Sequence, residues 1–214
     1  MGKKQVVMTV NDHLNHTDVC IKKPTTRYLD RYITSKASVD IQKLELFPNA
    51  KEITESYAAI QQAARLAHPG DASVCFVSIG DGVAPRTAGL AAFHSRWNCI
   101  SIDPNANYKT RWENIERLTI LRQKIEVVAD LTLPSHITTM IIACVHSHAP
   151  WEEVKKFIQR YPTLESIHLI AIPCCVPIPP NWPKPTIDTY DWGIWSPERQ
   201  VLVWKNAGKI FAEE

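Results

Sequence analysis

From Val74 onward the chain alternates between short runs that are apolar throughout and longer segments whose apolar residues recur at helical spacing. "VCFVSIG" is a strand by this pattern and "RTAGLAAFH" a helix. "NCISID" (Asn98–Asp103) is a strand, "WENIERLTILRQK" a helix and "IEVVAD" (Ile125–Asp130) a third strand. "TTMIIACVH" (Thr138–His146) and "SIHLIAI" (Ser166–Ile172) are strands either side of "WEEVKKFIQRY", which is apolar at positions 151, 154, 157 and 158. Strands apolar along their whole length, alternating with helices, predict a parallel sheet covered on both faces, with right-handed crossovers.

Both ends depart from this rhythm. "PCCVPIPPNWPKP" is too rich in proline for a helix or a central strand. Beyond it, "TIDTYDWGIW" and "QVLVWK" flank the turn signal "SPER" and predict an antiparallel hairpin. Ahead of the sheet, "TTRYLDRYITSK" and "NAKEITESYAAIQQAARLAH" predict helices, the second capped by Asn49 and stopped at Pro69-Gly70. The expected architecture is α/β: a Rossmann-like, seven-stranded, mostly parallel sheet with helices on both faces and a C-terminal hairpin. Residues 1–70 are expected to form a helical prefix packed on a core of residues 71–214, the two making one structural domain.

Composition narrows the function classes. With 214 residues the chain can bury a sizeable core, and a net charge of +2 implies no broad field for polyanions. Lys22, Lys23, Arg27 and Arg31 collect near the start and are read as a solvated face. "MGKKQVVMTVNDHLNH" lacks the apolar stretch of a secretory signal, and no apolar run reaches membrane-spanning length. Cys75, Cys99 and Cys144 fall inside predicted strands, as reduced, buried cysteines do. An intracellular, cytoplasmic protein with no membrane partner is expected.

The candidate chemistry sits at the strand ends. Gly80 and Gly82 follow the first strand and open a helix, where bare backbone lets a ligand approach. Pro85 stands where a dinucleotide fingerprint has its third glycine, and no Gly-Lys-Ser/Thr follows. Asp103 closes the second strand and Asp130 the third; beyond the carboxyl ends of a parallel sheet, such carboxylates suit ribose hydroxyls and an adenine amino group.

This arrangement resembles the class I S-adenosylmethionine-dependent methyltransferases. Their first motif is matched by Ser78-Ile79-Gly80-Asp81-Gly82-Val83-Ala84, with Ser78 in place of the usual acid and Asp81 beside it to help hold the methionine amino group. The resemblance implies S-adenosylmethionine as cofactor, bound by Ser78, Gly80, Asp81, Gly82, Asp103, Pro104, Asp130 and Leu131. A second resemblance, in "ACVHSHAPWEEVKKFI" and "HLIAIPCC", is to a subset containing Trm13-type transfer-RNA methyltransferases, without their zinc-finger segments. The acceptor is left unidentified, with RNA or a small molecule favoured. His146 and His148, two apart at the mouth of the sheet, are the candidate catalytic residues. A degenerate, non-catalytic binding fold and an NAD-dependent enzyme are the alternatives.

Two further expectations concern the same edge. His146, His148, Cys174 and Cys175 supply zinc-type donors, but adjacent cysteines seldom both reach one ion, so no metal is expected. The stiff segment Pro173–Pro185 is expected to wall the acceptor pocket, while Trp182, Trp192, Trp195 and Trp204 are expected to pack the hairpin and not to stack on a base.

Overall fold

The computed structural model describes residues 7–8, 19–20, 25–107 and 110–212. The expectations about the opening segment, Lys22 and Lys23 lie outside them. Two short strands, β1 (Val7–Met8) and β2 (Val19–Cys20), pair antiparallel by themselves. The main sheet contains β3 (Val74–Ile79), β4 (Asn98–Ile102), β5 (Leu118–Leu121), β6 (Thr139–Val145), β7 (Ser166–Ile172), β8 (Ile187–Tyr190) and β9 (Gln200–Trp204). Its order is β5-β4-β3-β6-β7-β9-β8, with only β9 running against its neighbours. The expected fold class is therefore the observed one: a mostly parallel seven-stranded sheet ending in an antiparallel hairpin. Within that hairpin Ile187 lies opposite Val203 and Tyr190 opposite Gln200.

The period of two along each strand divides the interior into two cores. Val74 and Phe76 of β3, Ile141 and Ala143 of β6, and Ile170 and Ile172 of β7 face one side. There they meet α1 (Arg27–Thr34), α2 (Ser38–Lys43), α3 (Ala50–Leu66) and α4 (Arg86–His94). Cys75, Val77, Met140, Ile142, Leu169 and Ala171 face the other side, under α6 (Trp151–Gln159) and α7 (Ala207–Ala212). Because both faces are covered, these central strands carry no polar alternation.

The helical prefix joins the first core directly. Asn49 caps α3, its Oδ1 accepting the Glu52 N–H at 3.1 Å. Tyr28 of α1 is buried, and its hydroxyl donates to Asp191 Oδ2 at 2.5 Å, fixing α1 to the turn that follows β8.

The third strand is a correction. "WENIERLTILRQK" is not one helix: α5 covers only Thr110–Glu113, Arg117 takes a left-handed φ of 63°, and Leu118–Leu121 is β5. Ile125–Val127 is a single 3-10 turn and not a strand. The physical reason is position. β5 is an edge strand, bonded to β4 alone and half exposed, so its pattern lacks the solid apolar run of its neighbours. Ile125 and Val128, three apart, plug the second core from a turn and imitate strand composition.

Candidate functional site at the carboxyl edge of the sheet

The site is built where β3, β4 and β6 end side by side. Gly80 and Gly82 both have positive φ, 73° and 86°, so the chain leaves β3 in a turn that L side chains resist. Space enforces the same choice. A Cβ on Gly80 would overlap the Ser147 hydroxyl, and one on Gly82 would overlap the Arg86 guanidinium. Gly80 N–H still donates to Ile102 O at 2.8 Å, which holds the turn against β4.

The neighbouring carboxylates have separate structural partners. Asp81 is buried, and its oxygens accept from the Thr87 N–H (2.8 Å), the Ala88 N–H (3.1 Å) and the Ser101 hydroxyl (3.1 Å). It closes the first turn of α4, where a carboxylate complements the helix dipole. Burial pushes its pKa above the ordinary range, against the pull of those donors. Asp103 Oδ2 accepts the Gly82 N–H at 2.8 Å and Oδ1 the Asn105 N–H at 2.7 Å. Each Asp103 oxygen keeps a lone-pair direction for a ligand hydroxyl. Ser78 lies on the face of Val74 and Phe76; its hydroxyl is buried and has no hydrogen-bond partner among the described residues.

A cavity of about 430 Å³ opens over this turn. Gly80, Gly82, Asp103 and Pro104 line it, together with Gln123–Glu126 and the His146–Pro150 edge. Asp130 and Leu131 do not line it. With β5 ending at Leu121, they fall in the connection toward β6, where Asp130 is exposed and the Leu131 N–H donates to Tyr161 Oη at 2.7 Å. The segment after β5 that reaches the cavity is Gln123–Glu126 instead.

A second cavity, of about 400 Å³, adjoins the first. Its lining includes Lys51, Glu55, Arg86, His146, Cys175 and Glu198, so it is charged where the first is mixed. Arg86, His146 and His148 line both. His146 has a left-handed φ of 50°, so the chain turns at the end of β6 and does not run extended through His148. A non-glycine residue held there is strained, and such strain gathers at functional sites.

His146 Nε2 lies 3.2 Å from Glu55 Oε1. That approach lacks hydrogen-bond alignment, since among the described residues neither atom has an aligned partner. Nor is it a charge pair. Burial, then the positive charges of Lys51 and Arg86, lower the His146 pKa to about 4, against Glu198. Burial raises the Glu55 carboxyl, opposed by Lys51 at 3.3 Å. Arg86, in the first turn of α4, pairs with Glu52 and donates from Nε to Asp81 O at 2.9 Å.

Arg86, Glu55, Ser147 and Glu198 escaped the sequence reading. Arg86 carried a signal, a cation in a helix's first turn, where the dipole disfavours one. Glu55 carried another, an acid among the buried positions Thr54–Ile60 of α3. His148 Nε2 is 3.3 Å from Cys175 Sγ, and Cys175 Sγ is 3.7 Å from Cys174 Sγ. The cysteine half of the proline segment thus faces the charged cavity. Its other half turns inward: Trp182 is buried against Phe211, Trp151 and Trp204, at ring separations of 4.8, 5.4 and 5.9 Å. Trp182 and Trp204 are packing residues, as expected. Cys75, Cys99 and Cys144 are free and buried, and burial pushes the Cys75 and Cys144 thiols up to about 12.

Strand order, reversed β9 and glycine turn together define a Rossmann-like fold with an antiparallel C-terminal hairpin. No family model and no curated protein matches the chain. Among solved structures it is similar to MtNAS in complex with MTA and tNA, with a TM-score of 0.48 and 12% identity, over 84% of this chain and 69% of that one. It is also similar to magnesium protoporphyrin IX methyltransferase from Synechocystis PCC 6803 with bound SAM, at 0.46 and 13%, over 84% and 95%. A third is phosphoethanolamine N-methyltransferase 1 of Haemonchus contortus, at 0.41 and 18%, over 71% and 32%. These likenesses are distant, and the strand order defines the fold without them.

Proposed function

We propose that the protein is an S-adenosylmethionine-dependent methyltransferase. One observation carries this reading. The positive-φ turn at Gly80 and Gly82 and the Asp103 carboxylate meet at the floor of one cavity of about 430 Å³, at the carboxyl edge of the sheet. Bare backbone at the turn admits the methionine end of the cofactor, and Asp103 accepts from the ribose hydroxyls. Gln123–Glu126 flank the adenine, the part assigned to Asp130 and Leu131 when the third strand is drawn at Ile125–Asp130 instead of Leu118–Leu121.

The acceptor enters through the charged cavity, a polar small molecule or an RNA end. His146 faces it, since it lines both cavities. Catalysis then consists mainly of holding the sulfonium methyl in line with the nucleophile. Asp81 is buried and its oxygens accept from three donors at the start of α4, so we assign it to holding that helix and not to the methionine amino group.

Two observations favour a second reading, a binding protein without turnover. Ser78 replaces the usual acid, and Arg86 lies over Gly82. Titration calorimetry with S-adenosylmethionine, S-adenosylhomocysteine and NAD tests the cofactor. We expect one site for each of the first two and none for NAD. Heat with NAD alone would make the fold a dinucleotide binder, and silence with all three would remove the methyl-donor reading.

A further inference from the structure

We infer that His148, Cys174 and Cys175 form a binding site for one zinc-class metal ion, with its fourth coordination position open toward the charged cavity. The three donor atoms, one imidazole nitrogen and two thiol sulfurs, all lie within 4.8 Å of one another. Their spacing suits a tetrahedral ion. Two thiolates about 2.3 Å from zinc sit about 3.8 Å apart at the tetrahedral angle, and a thiolate and an imidazole nitrogen about 3.6 Å apart. The structure has 3.7 Å between Cys174 Sγ and Cys175 Sγ, and 3.3 Å between Cys175 Sγ and His148 Nε2.

Adjacent residues in an extended chain point to opposite sides, the reason a sequence reading sets two neighbouring cysteines aside as joint ligands. Here β7 ends at Ile172 and the chain bends at Cys175 and Val176, so both sulfurs turn toward the same side. His148 arrives from the connection between β6 and α6, bonded in register to β7 along its length. The site therefore joins two loops whose bases the sheet already fixes. Two soft thiolates and an imidazole select zinc or a similar thiophilic ion over magnesium or calcium.

Position separates this cluster from the buried cysteines. Cys175 and His148 are exposed and Cys174 is half-buried, so an ion can enter. All three line the cavity that also holds His146, Glu55 and Glu198. Three protein donors with the fourth place free is the pattern of reactive and not purely structural zinc. Metal binding stands by itself; only its use on an acceptor rests on the methyltransferase reading.

The test uses the full chain, stripped with a chelator under reducing conditions and titrated with cobalt(II), then with zinc in competition. One equivalent should produce thiolate-to-cobalt charge-transfer absorption and the intense visible bands of a tetrahedral site, both abolished by zinc. Cys174→Ser, Cys175→Ser and His148→Ala should each weaken binding at least about 100-fold, the upper end of what even outer-shell losses cost. Their metal-free thermal unfolding should match that of the parent chain, since the residues lie at a rim. No cobalt spectrum, or a Cys174→Ser/Cys175→Ser double variant that binds as the parent does, would overturn the site. So would a Cys174–Cys175 disulfide that persists under the reducing conditions. S-adenosylmethionine calorimetry on the stripped protein is a separate reading. Its failure with a positive cobalt titration removes the methyl-donor assignment and leaves the metal site standing.

Discussion

Asp81 and Asp103 show how two carboxylates near one glycine turn divide between stability and binding. Asp81 is enclosed and spends its oxygens on the start of α4. Replacing it with Ala should strand two helix N–H groups and cost on the order of 1–3 kcal/mol of stability, read by denaturant unfolding. Asp103 holds Gly82 and Asn105 but keeps acceptor capacity toward the cavity. Asp103→Ala should weaken S-adenosylmethionine binding by on the order of 1.5–3 kcal/mol in calorimetry, because charge-assisted bonds to the ribose are lost. Unchanged affinity in that variant would refute the ribose assignment. The two substitutions should therefore separate, one acting on the unfolding midpoint and the other on affinity.

At the scale of elements, the legible parts were those whose environment is uniform. β3, β6 and β7 are buried on both faces, so their sequences are apolar throughout and their limits fall where the pattern breaks. α3 announced itself through Asn49 and its period. β5 did not, because an edge strand feels solvent on one side and its residues also satisfy a helical spacing. That single misplacement carried Asp130 and Leu131 into the site and kept Gln123–Glu126 out of it. Glu55 and Arg86 each left a local signal, but that both line one cavity depends on how α3 packs against α4, which no local pattern encodes.

The same α3–α4 contact yields a pH dependence. His94 Nε2 is 2.8 Å from Tyr57 Oη, and burial, then the Arg31 charge, lowers the His94 pKa to about 4. Folded His94 thus resists a proton that the unfolded chain accepts near 6.5. Its contribution to stability is complete above that value and is lost as pH falls toward 4. Since His94 is only half-buried, solvent screening reduces the effect to on the order of 1–2 kcal/mol. His94→Gln should flatten the stability profile between pH 6.5 and 4; an unaltered slope would show that the group is not shifted. The proline segment yields another expectation. Trp182→Ala should cost about 3–5 kcal/mol, because the ring is packed among Trp151, Trp204 and Phe211. A loss under about 1 kcal/mol, in thermal unfolding, would mean that the segment is merely laid on the surface.

Across the whole molecule the two cores and the two carboxyl-edge cavities are separate assets, and a ligand should register on only some of them. The sheet is held by paired strands and by apolar cores on both faces, which need no ligand. The turn after β3, the end of β4, residues 123–126 and residues 146–150 are instead connections that meet at one cavity. Such segments open locally at lower free energy than the strands that carry them. S-adenosylmethionine bound there should slow amide hydrogen exchange at 80–86, 103–106, 123–126 and 146–150. It should leave the β8–β9 hairpin unchanged. A third cavity, about 220 Å³ between α6, β7 and α7 and lined by Tyr161, Leu164 and Lys209, supplies the internal control. If the ligand instead protects residues 158–167 and 206–212, it binds on the far side of the second core and the glycine turn is only a turn. Protection confined to the first set, with Asp103→Ala abolishing it at ligand concentrations that saturate the parent chain, would tie the fold's carboxyl edge to the cofactor through a named carboxylate.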